Sequence, residues 1–256
     1  MSALYAFTIK EFQAALRSGK VLILGILFVI FGIMNPAIAK LTPWLMETMS
    51  DSFAGSGFTV TDVTVNALTS WAQFCKNIPM ALIVFLLIFS GVLTAEYEKG
   101  TLTAMVTKGL ARWKILAAKT AAMSLLWTAG YWLCFGITWG YTRYFWNDGS
   151  AVYVTQAAGC FWLLGLWLLT LLLLASAVCG TGAAALAASV CVFALTYAAG
   201  FLPPIKGCLP GVLLGVQALV AGQSVPGDYL TAALVTGGLC IADLIAAGAV
   251  FARRKI

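Results

Sequence analysis

Histidine is absent from all 256 residues, and charge is scarce, with 15 Lys and Arg and 9 Asp and Glu making up 9% of the chain. Without imidazole there is no Ser-His or Cys-His nucleophile and none of the usual imidazole-rich metal sites. The seven cysteines, at 75, 134, 160, 179, 191, 208 and 240, form no CxxC pair. They read as small packing residues rather than metal ligands. No GxxxxGK[ST] loop is present, and the lone Gly19-Lys20 runs into Val21 and opens an apolar run instead of leaving a strand. With no Asp pair in the apolar runs either, an intramembrane hydrolase has nothing to work with. No catalytic residue, metal or bound cofactor is expected on this chain.

What is abundant is apolar surface. The chain is 62% hydrophobic, against roughly 45–50% for a soluble domain, which makes it an integral membrane protein. The formal charge of +6 comes from a few basic residues flanking apolar runs. They suit anionic lipid and the cytoplasm, not nucleic acid. A helix needs about 20 mostly apolar residues to cross the hydrocarbon. Six segments meet that length, near Val21–Ala39, Ile78–Ala95, Ile115–Tyr141, Ala157–Val178, Ala183–Phe201 and Tyr229–Phe251. Six spans put both termini on one side. Placing them with the 96–114 segment collects Lys10, Arg17, Lys20, Lys99, Lys108, Arg112, Lys114, Lys119, Arg253, Arg254 and Lys255, and leaves Lys40, Lys76, Arg143 and Lys206 opposite. Eleven basic residues against four predict a multi-pass protein of the cell membrane with cytoplasmic N- and C-termini.

The first run, with Ala37-Ile38-Ala39 before Lys40, has features of a cleaved signal. The 20 residues ahead of it are too long and too patterned for that. Tyr5, Ile9, Phe12 and Leu16 recur at helical spacing, with Lys10, Glu11, Gln13 and Arg17 opposite, so the expectation is a retained span preceded by an interfacial helix over 1–20. Residues 40–77 are expected to form the longest outer loop, with a short interfacial helix carrying Leu68, Trp71 and Phe74. Residues 202–228 are too broken by Pro and Gly to span and too apolar for a free loop, and are expected to dip into the outer leaflet as short re-entrant helices. Cys75 and Cys208 flank spans on this outer side and are candidates for a disulfide.

Six charged residues, Glu96, Glu98, Lys99, Lys108, Arg112 and Lys114, crowd into 96–114 between two spans. As a helix, Leu102, Met105, Val106, Leu110 and Trp113 share one face. On pattern alone this is either a basic connector that sets topology or a docking element. Acidic residues do little for topology, so Glu96 and Glu98 invite a specific partner such as Arg112, a helix N-terminus or another protein.

The stretch "TAEYEKGTLTAMVTKGLARWKILAAKT" resembles the signature of type-2 ATP-binding-cassette (ABC) transporter permeases, in which Glu-x-Glu-x-Gly-Thr follows the second span. Glu96, Glu98, Gly100 and Thr101 match it. The family's next element is Pro-x-Ser-Arg, a hydrophobic pair and a lysine; Arg112, Ile115, Leu116 and Lys119 match, with Gly109 and Ala111 in place of Pro and Ser. "IKEFQAALRSGKVLIL" resembles the family's N-terminal interfacial helix. The resemblance implies an all-α permease over 1–256 with six transmembrane helices, whose 96–114 segment is a cytoplasmic coupling helix. Glu96, Glu98 and Arg112 would orient that helix while Leu102, Met105, Leu110 and Trp113 seat it. Also implied are two separate ABC ATPase subunits that bind ATP and Mg, a second permease chain, identical or not, and membrane lipid around both.

Asp243 is the only acid deep in a predicted span, ten residues before Arg253 and so about 15 Å from the cytoplasmic end. A carboxylate there costs roughly 2.5–3.5 kcal/mol in lipid, so it should face protein or water, as a functional group or a hydrogen-bonded packing residue. Gly180, Ala184 and Ala188, and Gly238, Ala242 and Ala246, form small-residue stripes expected to pack within the subunit, with a place for one of them at the seam with a second permease chain as the alternative. An ion-coupled secondary transporter would need more buried ionisable groups and an inverted repeat. A non-transporting assembly protein would not account for the charged segment. The aromatic, Gly/Ala-rich spans favour an amphipathic or lipid-like cargo moved outward.

Overall fold

The computed structural model describes residues 3–53, 65–98, 100, 102, 107, 109, 111–203 and 207–254. Among these the fold is all helix and turn. Helix α1 (Ala3–Arg17) turns at Gly19 into α2 (Lys20–Phe53). There follow α3 (Ala67–Phe89), the short α4 (Thr94–Glu98), α5 (Arg112–Phe145), α6 (Val154–Val178) and α7 (Gly182–Ala199). A 3₁₀ turn (Pro210–Gly215), α8 (Gln217–Val220) and α9 (Gly227–Arg253) complete the chain. Helices α2, α3, α5, α6, α7 and α9 are long and apolar enough to cross a membrane, one for each expected span.

The expected long outer loop is mostly helix. Helix α2 runs 34 residues, about 50 Å at 1.5 Å per residue, and α3 begins at Ala67 rather than Ile78. The reason is an unbroken buried stripe, Trp71, Phe74 and Ile78, which packs on α5 through Trp71–Phe135 and Phe74–Tyr131 ring contacts. No break separates an interfacial piece from the span. Residues 54–64, which hold much of the expected polar loop centre, lie outside the described residues.

The free N–H groups at the start of α3 find side-chain acceptors. Asn66 Oδ1 accepts from Thr69 N (3.1 Å), Asp148 Oδ2 from Ala67 N (3.2 Å) and Ser150 Oγ from Leu68 N (3.1 Å). Partial desolvation raises the Asp148 pKa, but hydrogen bonds from Ser150 and Ala67 outweigh it and hold the carboxyl below its ordinary value. A depressed folded pKa stabilises above the unfolded carboxylate value, about 3.9, and the stabilisation fades as pH falls through the folded value. The protection factors of the Ala67 and Leu68 amides, exchange rates taken relative to the intrinsic rate at each pH, should therefore fall on acidification below about pH 4. In Asp148→Ala they should be low already and flat with pH; identical profiles in the two proteins would refute the cap.

Pro36 lies inside α2 and has no N–H for the carbonyl of Gly32. Thr138 Oγ1 on α5 supplies the missing donor, reaching Gly32 O at 3.1 Å. The same hydroxyl accepts from Asn35 Nδ2 (2.9 Å), whose Oδ1 accepts from Asn77 Nδ2 on α3 (2.7 Å). This relay leaves no orphan in an apolar setting and fastens α2, α3 and α5 together.

Helix α6 is the hub, buried over most of its length, whereas α7 and α9 are largely open. One indole from α5 and one from α6 bond reciprocally across the seam. Trp127 Nε1 donates to Trp162 O and Trp162 Nε1 to Thr128 Oγ1, each at 3.1 Å. Between α7 and α9, Leu213, Val216 and Leu219 of the 3₁₀–α8 segment are fully buried. Two sequence expectations need correction. All seven cysteines are free, Cys75 and Cys208 included, and Cys75 is buried within α3. The small-residue stripes pack inside the chain only in part: a Cβ on Gly180 or Gly238 would meet nothing within 4 Å, while Ala188 packs against the core. Close packing falls on Gly32, Gly130, Gly165 and Gly211, where facing side chains occupy the space a Cβ would take.

Candidate functional site

Three helices meet at one lysine. Lys119, in the second turn of α5, lies 2.9 Å from Glu96 Oε1 on α4 and 3.0 Å from Glu11 Oε2 on α1. The lysine side chain is 5% exposed, and Glu11 and Glu96 are 14% and 17% exposed. An ammonium has three donors in a compact head, so one Lys can serve two carboxylates from different directions. Burial strengthens each pair and makes the loss of any member costly. Glu11 reaches inward because α1 turns Phe7 and Ala15, both buried, to the bundle on the same side. Of the expected apolar stripe, Tyr5, Ile9 and Leu16 are exposed, while Phe12 packs against the core.

The pairing differs from the sequence expectation, in which Arg112 was a candidate partner of the acids. Glu96 takes Lys119, and Arg112 instead donates Nη1 to the backbone oxygens of Phe251 (3.1 Å), Ala252 (2.9 Å) and Arg254 (2.7 Å). The physical reason is local. A helix C-terminus leaves unpaired carbonyls and a partial negative charge, and α9 ends beside the first residue of α5. Glu11 was missed because it shares a polar face with Lys10, Gln13 and Arg17, and nothing in local spacing selects a lysine 108 positions away.

The 96–114 segment is also not one rod. Gly100 has φ +64° and Gly109 φ +84°, a left-handed region that suits glycine. Gly100 closes α4 with its N–H on Tyr97 O (3.1 Å). Proline, locked near −65°, cannot adopt the Gly109 conformation, so this turn departs from the family's Pro-containing version. Because α5 begins at Arg112, Arg112 and Trp113 belong to the spanning helix. Leu102 is fully buried while Trp113 is 59% exposed, and the two do not share a face as expected. Thr101, Met105 and Leu110, with the Glu98 side chain, lie outside the described residues.

Asp243 does not join this cluster. It sits half-buried on the side of α9 that packs against α6, with Thr170 Oγ1 3.5 Å from its Oδ2. That hydroxyl makes its shorter bond, 2.8 Å, to Trp167 O.

A family model described as "ABC-2 family transporter protein" matches residues 5–227. No curated protein matches the chain.

Proposed function

The chain belongs to the ABC-2 transporter family, a multi-pass membrane permease of ABC transporters, and we propose that it couples to separate cytoplasmic ATPase subunits through its 96–114 segment. ATP and Mg are bound by those subunits. Two of them serve two permease chains, the second of which packs on the open faces of α7 and α9. The termini and the Lys119 cluster face the cytoplasm, in line with the distribution of basic residues. The cargo is amphipathic and moves outward. Nucleotide-driven closure of the ATPases shifts the permeases between inward- and outward-open populations.

The observation that carries this reading is Lys119 bridging Glu11 and Glu96. Force applied to the segment reaches α1 and α5 through buried charge, and α3 through the chain itself. The test is ATP hydrolysis by the complex purified through the tagged permease. Arg112→Glu or Glu96→Lys should lower it by about tenfold or more, as expected for losing charged hydrogen bonds of about 1.5–3 kcal/mol, while membrane insertion persists. Full activity in both variants would remove the coupling role.

A further inference from the structure

Two arginines hold the end of α9 in series. The last carbonyls of a helix lack intrahelical partners, and in α9 those of Phe251 and Ala252, with that of Arg254 beyond them, accept from Arg112 Nη1. Arg254 in turn donates Nη1 to Ala177 O (2.7 Å) and Cys179 O (3.0 Å) at the C-terminus of α6. Its guanidinium lies 4.2 Å from the Tyr97 ring of α4, and Tyr97 meets Phe251 edge-on at 6.2 Å. Each guanidinium therefore sits at the negative end of a helix that is not its own or has just ended.

The arrangement joins parts that the chain keeps apart. Tyr97 and Arg112 stand near the two ends of the 96–114 segment, and both grip the same turn of α9. Arg254 then hooks that turn to α6. Every acceptor is a backbone oxygen at a helix end, so a displaced guanidinium cannot be followed by a simple side-chain swing. The helix itself must shift. Without the hook, movement of the segment would still reach α3 and α5, which are continuous with it, α1 through Lys119 and α9 through Arg112, but α6 would lose its polar link to the moving end.

We propose that Arg254 is a positioning residue that relays movement of the 96–114 segment, taken up by the end of α9 through Arg112, onward into α6, the span carrying Thr170. This rests on the coupling role proposed above. The relay makes α6 a lever. Its far end should move with nucleotide state because its near end is hooked to the turn of α9 that the segment grips.

The experiment reads thiol labelling at the far ends of two helices, in the complex purified with its ATPase and with native cysteines replaced. Thr155→Cys reports on α6 and Tyr144→Cys on α5; both native residues are exposed. With Arg254 intact, labelling at both positions should change when a non-hydrolysable ATP analogue is added. In Arg254→Gln the response at Thr155→Cys should fall by about tenfold, with the Tyr144→Cys response and ATPase copurification retained. Arg254→Lys keeps the charge but loses the planar fork that spans two carbonyls, and should fall between. An unchanged Thr155→Cys response in Arg254→Gln would overturn the relay. Loss at both positions together would overturn it too, since the residue would then support the fold as a whole. Should neither position respond with Arg254 intact, the coupling reading fails and the relay with it.

Discussion

Lys119→Met should cost about 3–5 kcal/mol of stability and end ATP-driven coupling. The substitution keeps the volume of the side chain and removes only its charge. Glu11 and Glu96, at 14% and 17% exposure, are then left as two neighbouring carboxylates with their shared cation gone. Against a total stability of about 5–15 kcal/mol, such a loss is visible as a large fall in the melting temperature of the detergent-solubilised protein. Neutralising the whole cluster, Glu11→Gln with Glu96→Gln and Lys119→Met, should recover most of that stability, because buried ion pairs are often replaceable by neutral groups of similar size. The triple variant should still fail to hydrolyse ATP with its partner at the normal rate, since the charge link from α4 to α1 and α5 is missing. A single variant that melts like the unmodified protein would show that the cluster holds nothing together.

Gly165→Ala should be nearly as damaging, although it adds one methyl group. A Cβ at this position overlaps the Trp127 indole, which is fully buried and meets Phe28 and Phe85 edge-on at 5.9 and 5.6 Å. The indole has nowhere to go without giving up its bond from Nε1 to Trp162 O. Overpacking contributes about 1–3 kcal/mol and an orphaned buried donor about 1–3 kcal/mol, so the total is about 2–6 kcal/mol. Gly159→Ala, in the same helix where a Cβ meets nothing within 4 Å, is the control and should be close to neutral. Trp fluorescence and thermal melting report both. Equal effects of the two substitutions would mean that the α5–α6 seam is looser than described.

These residues mark where sequence reading reached and where it stopped. Six spans followed from hydrophobic length alone, since nothing else satisfies backbone polar groups in hydrocarbon. Their outer limits did not, because Trp71 and Phe74 look the same whether they rest on an interface or continue a span. Only their packing on Phe135 and Tyr131 decides. Gly165 and Gly159 are equivalent letters in one apolar run, and only the indole opposite separates them. Lys119 was reached through resemblance to a motif, while Glu11 and Arg254 were not singled out. Their partners lie 108 and 77 positions away, and no periodicity encodes such distances. Gly109 carried a readable signal: a glycine where the resembling family has proline announces a changed turn, and φ +84° is that change.

The most direct test of the account is cross-linking from Trp113→Cys in the complex isolated from native membranes, with Tyr144→Cys at the opposite end of α5 as the comparison. The account predicts that Trp113→Cys is captured by a subunit that hydrolyses ATP and that Tyr144→Cys is not. Capture of that subunit from position 144, or labelling of position 113 by an impermeant reagent added outside intact cells, would contradict it.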